Sequence, residues 1–259
     1  MVGLPNPIGR NSLVPLVLKF RTLGLENEEL EILAGHVKDK GRVRAGLDII
    51  GAGNSAKHLT LLLMGVACWY KRLEDGSRQI YTFQYAGDFC DFYRYVLPER
   101  DHSVAVQALT DCSIAIIDYR DLEQALTRFP KLGLAFWRAS MLDASIFRER
   151  LLNGSHRPAL QRLANLLCEQ LARREAIGIN SAVIPLTQID LADAAGLSVV
   201  HLNRTIQALR SLGVLAKNSH TIEVVDRKHL VNIAKFDGRY LNMPQLLSKW
   251  EIRIDSSIK

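Results

Sequence analysis

The spacing of apolar positions changes twice along the chain. Between Val43 and Tyr119 they fall in short β-rich runs, at 59–63, 67–71, 79–84, 103–108 and 113–117, separated by Gly46, Gly51, Gly53, Gly65, Asp75-Gly76 and Gly87-Asp88. Runs of about five residues at this interval predict an antiparallel sandwich or barrel. Glu74-Asp75-Gly76-Ser77 reads as a hairpin turn, because glycine accepts the positive φ that such a turn needs. Ahead of this region, residues 20–36 (FRTLGLENEELEILAGH) read as one short acidic amphipathic helix, with Leu30, Leu33 and Val37 on one side. After Asp121 the spacing becomes helical. Phe129-Pro130 opens a long helix, 131–152, with Phe136, Ala139 and Ile146 on one face and Leu134, Met141 and Ala144 on another. A helix apolar on two sides covers two surfaces, here its own β-domain and a partner chain. Asn153-Gly154-Ser155 reads as the break and the hinge between domains, and a second helix is expected over 157–176.

Residues 185–225 (PLTQIDLADAAGLSVVHLNRTIQALRSLGVLAKNSHTIEVV) carry the most information. Thr187 suits an N-cap, and Asp190 three residues on places its charge near a helix N-terminus. That helix ends by Gly196, and Ser198 caps the next, which runs to about Ser211. Leu191, Leu197, Leu202, Ile206 and Leu209 form the buried side, and Ala192 is small enough to let the helices approach. Two short helices joined by a glycine turn make a helix-turn-helix. Runs at 214–216 and 221–225 flank Lys217-Asn218-Ser219-His220 as a hairpin-like wing.

Composition narrows the function classes. The 259 residues are 48% hydrophobic and 23% charged. No stretch approaches the roughly 18 apolar residues that span a bilayer. The early apolar run at 13–18 is interrupted by Pro15 and lacks a small-residue cleavage site, so a cytoplasmic protein with no membrane partner is expected. Cys68, Cys90, Cys112 and Cys168 are scattered without a C-x-x-C pair, which excludes close-spaced zinc or iron–sulfur frameworks. No metal site, nucleophile motif, P-loop or paired carboxylate stands out, so no catalytic residue is assigned and an enzyme is not expected. Charge is informative: 19 basic and 18 acidic residues precede Gly154, whereas 14 and 9 follow it. The positive excess sits in the half with the helix pair, which points to a polyanion partner.

The outward face of the second short helix supplies a reader for that polyanion. Val199, Val200, His201, Asn203, Arg204 and Gln207 lie off the buried stripe. Arginine bonds guanine O6/N7 bidentately, asparagine or glutamine bonds adenine, and valine packs on a thymine methyl. Thr187, Gln188, Ser198 and Lys217 are placed to hold phosphates. Double-stranded DNA is the expected partner.

Short strands, a long helix, a break, and then PLTQIDLADAAGLSVVHLNRTIQALRSLGVL resemble the Crp/Fnr regulators over nearly the whole chain; residues 191–215 are the most specific part. GVACWYKRLEDGSRQIYTFQYAGDFCD resembles the family's effector-domain hairpin and the glycine turn after it. Residues 148–153 and 159–171 resemble its dimer helix and the helix beyond. The resemblance implies an α+β chain in two domains. Residues 1–153 would form an antiparallel, cyclic-nucleotide-binding-like β-roll with a dimerisation helix at 131–152; residues 154–259 would form a winged helix-turn-helix with a C-terminal tail. It also implies a homodimer on a near-palindromic operator, with half-sites about one helical turn apart, and RNA polymerase as a further partner. Arg204 falls where the family's base-contacting arginine lies, and Val200 where many members carry a base-reading glutamate.

The effector pocket implied by the resemblance involves Gly87, Asp88, Phe89, Cys90, His102 and Ser103. His102 stands where cyclic-AMP-binding members carry an arginine that grips the cyclic phosphate, and Asp101 stands beside it. A mostly neutral imidazole replaces a charged fork poorly, and a carboxylate repels phosphate. A degenerate pocket is therefore expected, with a cyclic nucleotide disfavoured and no other cofactor implied. Cys90 reads as a buried small hydrophobe rather than a redox sensor. Two alternatives stay open at this point: a constitutive DNA-binder whose β-domain is only a scaffold, and a cyclic-nucleotide-binding signalling module acting through protein contacts.

Overall fold

In the computed structural model, which describes residues 10–53, 57–97, 104–217, 221–243 and 250, Pro15 lies in the first turn of a helix, α1 (Val14–Thr22). Proline is tolerated there because that N–H has no intrahelical acceptor. The single helix expected over 20–36 is two. Gly24, at φ +95°, breaks the chain, and Nη1 of Arg138 donates to the Leu23 carbonyl (2.8 Å), filling the space that a side chain at 24 would take. α2 (Asn27–Gly35) then starts where the Glu29 carboxylate accepts the Glu26 N–H at 3.0 Å.

Among the described residues seven strands follow in this part of the chain: β1 (Lys38–Val43), β2 (Asp48–Ile50), β3 (His58–Met64), β4 (Val66–Arg72), β5 (Arg78–Tyr85) and, after the short helix α3 (Phe92–Val96), β6 (Ala105–Ala108) and β7 (Cys112–Asp118). They form two antiparallel sheets, in the orders β1-β7-β3 and β2-β6-β4-β5. Four of the five expected runs lie wholly in strands, and the fourth in order is a strand from Ala105, with Ser103 outside the described residues. β1 and β2 escape the hydrophobic pattern because β1 (KDKGRV) is a polar edge with a bulge before Gly41, and β2 is only three residues long. The hairpin turn is where it was expected: Arg72 pairs with Arg78, Gly76 has φ +82°, and Asp75 Oδ1 accepts from the Ser77 N–H at 2.9 Å.

The two faces of β3 and β7 explain their unbroken apolar runs. Leu59, Leu61, Ala115 and Ile117 join the cluster shared with α1, α2, α4 (Tyr119–Arg128) and α5 (Pro130–His156). Leu62, Cys112 and Ile114 pack instead with Ile50, Ala67, Val106 and Ala108 of the second sheet. Alternate side chains of one strand thus serve two cores, so no polar face is left to mark the period.

The chain divides into two compact units between Ala144 and Ser145, within α5. In the second unit, α6 (Ala159–Ala176), β8 (Val183–Ile184), α7 (Gln188–Ala195), α8 (Val199–Ser211), β9 (Ile222–Glu223) and α9 (Arg227–Ala234) follow in order. Asn153-Gly154-Ser155 does not break α5, which continues to His156. The Asn153 side chain is turned inward instead: its Nδ2 donates to Asn165 Oδ1 at 2.9 Å, and its Oδ1 accepts from Arg157 Nη1 at 2.6 Å. The chain turns at Pro158, which has no N–H to continue the helix. Of the C-terminal tail, Asn242, Met243 and Trp250 are described. Trp250 is buried, lying under the Arg227 guanidinium (4.6 Å) and donating its indole N–H to Glu175 at 2.9 Å.

Candidate nucleic-acid interface

The helix pair α7–α8 is built as the sequence predicts. Thr187 and Asp190 form a reciprocal cap: the Asp190 N–H donates to Thr187 Oγ1 at 3.1 Å, and Asp190 Oδ2 accepts the Thr187 N–H at 3.1 Å. Thr187 also spends its only hydroxyl proton on Asp190, at 2.6 Å. Its side chain is therefore engaged in stabilising the helix start. Gly196 ends α7 in the left-handed region at φ +62°. Ser198 Oγ then accepts the His201 N–H at 3.2 Å, which leaves its own hydroxyl proton for an outside acceptor.

One brace was not visible in the sequence. Arg162 of α6 donates through Nη1 to the Ala195 carbonyl (3.0 Å) and through Nη2 to the carbonyls of Gly154 (2.9 Å) and Arg157 (3.2 Å). A single guanidinium thereby satisfies carbonyls left open at the ends of α5 and α7 and fixes the turn between the paired helices. Nothing in ALQRLANLLCEQL distinguishes this arginine from a solvated one. A second tie joins the end of α5 to α6: buried Glu169 accepts from Arg150 Nη2 at 2.9 Å and from the Tyr240 hydroxyl at 3.3 Å. Burial, with the Glu169 charge beside it, pushes the Tyr240 hydroxyl well above its ordinary pKa.

On α8, Leu202, Thr205, Ile206 and Leu209 are buried. Opposite them, His201, Arg204 and Gln207 are exposed, Val199 and Val200 are 42% and 63% exposed, and Asn203 is half-buried. At about 100° per residue, positions 200, 204 and 207 return to one line along the helix. Gln188 is half-buried in the first turn of α7. The wing is present: Leu215 bridges Val224, the Ala216 N–H donates to Glu223 O at 3.0 Å, and β8 pairs with β9. Lys217 is exposed at its edge, and residues 218–220 lie outside the described residues.

The expected effector turn is differently built. Gly87 adopts φ +88°, and a Cβ there would meet the Pro15 carbonyl carbon at 2.7 Å, so α1 is packed onto the turn. Asp88 is buried and pairs with Lys19 of α1, while its Oδ2 accepts the Tyr85 N–H at 3.0 Å. Phe89 belongs to the core, its ring 5.6 Å from Phe20 and 5.0 Å from Phe136. Cys90 is fully buried, and burial followed by the nearby Asp91 and Asp88 pushes its thiol up, away from a reactive thiolate. These four positions are buried, Gly87 and Asp88 against α1 and Phe89 and Cys90 in the core clusters. His102 and Ser103 lie outside the described residues.

Along α5, Leu134, Trp137 and Met141 are exposed at three- and four-residue spacing, as are Leu151 and Leu152 farther on. Phe136 and Ile146 are buried. Among the described residues no group of His, Cys, Asp or Glu could hold a metal ion, and no helix is long and apolar enough to cross a membrane.

Comparison with known proteins agrees with this architecture. A cyclic nucleotide-binding domain profile matches residues 40–129, and a Crp-like helix-turn-helix domain profile matches residues 161–233. A probable transcriptional activator of Rhizobium leguminosarum bv. viciae is 27% identical over 192 residues, covering 73% of this chain and 78% of that protein. The transcriptional activator protein FnrL of Cereibacter sphaeroides is 27% identical over 222 residues, covering 82% and 87%. The structure of FixK2 from Bradyrhizobium japonicum shares the fold, with a TM-score of 0.66 and 24% identity over 76% of this chain and 96% of that one. With its β-domain, its long helix and its winged helix pair, the chain belongs to the Crp/Fnr family of DNA-binding transcriptional regulators.

Proposed function

We propose that this regulator works in the cytoplasm as a homodimer joined along α5, that it reads a near-palindromic operator with α8 of each copy, and that it engages RNA polymerase without catalysing a reaction of its own. The outward line Val200–Arg204–Gln207, on a helix whose first turn is held by Ser198, is the observation that carries this reading. Its chemistry matches base edges, and Ser198 and Lys217 flank it with donors for phosphate. The exposed Leu134–Trp137–Met141 stripe supports the dimer, since an apolar seam at this spacing is buried by a second helix. Selection from a random DNA library by the full-length protein tests the reading. An enriched two-fold-related motif is expected, with an affinity that falls as salt rises. No enrichment at low salt would overturn it.

The signal acts by population shift: a state that prefers one arrangement of the α5 pair repositions the recognition helices. A cyclic nucleotide is not the proposed effector, because Asp88 and Gly87 are already engaged by α1. The same observation favours a second reading, in which the β-roll is a constitutive dimerisation scaffold. Calorimetry with cyclic AMP and cyclic GMP separates the cases, and saturable binding coupled to operator affinity would reject both the scaffold and the degenerate pocket.

A further inference from the structure

We infer that Val200 reads the C5-methyl group of a pyrimidine, one or two base pairs from a guanine held by Arg204; this deepens, and rests on, the reading of α8 as the base-reading helix. Val200 is 63% exposed, the most exposed large aliphatic side chain on α8, and it stands opposite Leu202, Ile206 and Leu209, each at 0%. It contributes nothing to the protein's own core. Its place in the first turn, next to the Ser198–His201 cap, fixes its backbone. A β-branched side chain in a helix has essentially one rotamer, so Val200 is a rigid apolar knob that loses little freedom on docking.

Only one chemistry in the major groove suits such a knob. Base edges offer hydrogen-bond donors and acceptors, which valine cannot engage, and one apolar group, the C5-methyl of thymine. Arg204 lies one helical turn on, along the same side, about 6 Å away at 1.5 Å per residue. Base pairs repeat every ~3.4 Å, so the methyl and the guanine read by Arg204 are one or two pairs apart. A glutamate at this position would instead accept a hydrogen bond from a cytosine amino group. Valine at 200 replaces that polar readout with an apolar one. A cytosine carrying a 5-methyl group presents the same apolar feature, so binding at this base pair is sensitive to cytosine methylation.

The test uses the full-length protein and the motif it selects. Each thymine of one half-site is replaced in turn by deoxyuridine, which removes only the methyl group. One thymine, one or two pairs from a guanine, should lose about fourfold in affinity, and substitution in both half-sites should lose on the order of fifteenfold. Val200→Ser should bind thymine and uracil sites equally. At the same position, 5-methylcytosine should bind about fourfold better than cytosine to the wild type and no better to Val200→Ser. Val200→Glu should change the preference from thymine to cytosine, which keeps the test open should Val200→Ser bind too weakly to measure. A flat deoxyuridine scan, or a sensitive thymine that stays sensitive in Val200→Ser, would overturn the inference while leaving DNA binding intact. Failure to select any motif would remove the α8 reading itself and this inference with it.

Discussion

Replacing Trp137 with glutamate places a charge in the middle of the exposed stripe on α5. Trp137 is 61% exposed, with Leu134 at 40% and Met141 at 49% around it. A tryptophan side chain offers about 150–250 Å² to a core, so roughly 100–150 Å² per protomer is left uncovered. At about 25 cal/mol per Å², covering that surface contributes about 2.5–4 kcal/mol per protomer, and the symmetry of a two-fold contact counts it twice. Ordering costs take back part of this, and even half of it corresponds to at least about a 60-fold change in the dimer dissociation constant. Trp137→Glu should therefore sediment as a monomer at concentrations where the wild type is a dimer. Its far-ultraviolet circular dichroism should be unchanged, because the indole is outside the core. Phe136→Glu is the contrast: its ring is 1% exposed and stacks on Phe92 at 4.6 Å, so that variant should lose the fold as well. A Trp137→Glu protein that remains dimeric, or a wild type that is monomeric throughout, would refute the argument.

Arg204→Ala should cost about 1–3 kcal/mol on the selected operator and relax preference at one base pair, whereas Lys217→Ala should weaken all sequences alike and flatten the salt slope by about one unit; fluorescence anisotropy on operator and scrambled DNA decides, and equal losses on both for Arg204→Ala would count against base reading. Burial raises the Asp91 carboxyl from 3.8 to about 7, against two hydrogen bonds from Thr60, so the folded chain holds a proton that the unfolded chain releases near pH 4. The stability associated with that proton is full below pH 4 and is lost as pH rises through 7, about 2 kcal/mol of it between pH 5 and pH 7. Asp91→Asn should remove this slope in urea unfolding curves, and an unchanged slope would contradict it. Arg162→Met, which strips hydrogen bonds from the carbonyls of Gly154, Arg157, Ala195 and Gly196, should cost about 2 kcal/mol of unfolding free energy and broaden the amide spectrum of residues 188–211; a protein as stable as the wild type would show that the brace is dispensable.

What the sequence reveals depends on whether a residue's partner is local. The α7–α8 pair was legible to within a residue because Thr187 with Asp190, Gly196, and Ser198 with His201 are all interactions over three residues or fewer, or single backbone conformations. The five main strands were legible from turn residues, although β3 and β7 show no alternation, because they serve two cores. Asn153-Gly154-Ser155 misled for the opposite reason. It carries the composition of a break, but Asn153 is taken up by Asn165, twelve residues away, and Gly154 by Arg162, so tertiary bonds hold a helix that propensity alone would end. Gly24 and Gly87 were equally illegible in detail. Each is a place where another element, Arg138 or Pro15, comes against the backbone, and no local pattern records that approach.

These long-range bonds bear on how a signal reaches the DNA. Phe20 of α1 packs edge-on against both Phe89, beside the Gly87 turn, and Phe136 of α5. A ligand entering at that turn must first move α1, giving up the Lys19–Asp88 pair and the Phe20 contacts, so its affinity is reduced by the free energy of that opening. A close-packed ring cluster does not deform continuously, so displacement of Phe89 repacks Phe136. At the other end of α5, Arg150–Glu169 and Asn153–Asn165 bind its last two turns to α6, Arg157–Glu149 ties the connection between the two helices back onto α5, and Arg162 binds α6 to the turn before α8. The recognition helix is thereby carried as one body with the end of α5. In the homodimer proposed above, a change in how the ends of the α5 helices pack would therefore be carried to Val200 and Arg204.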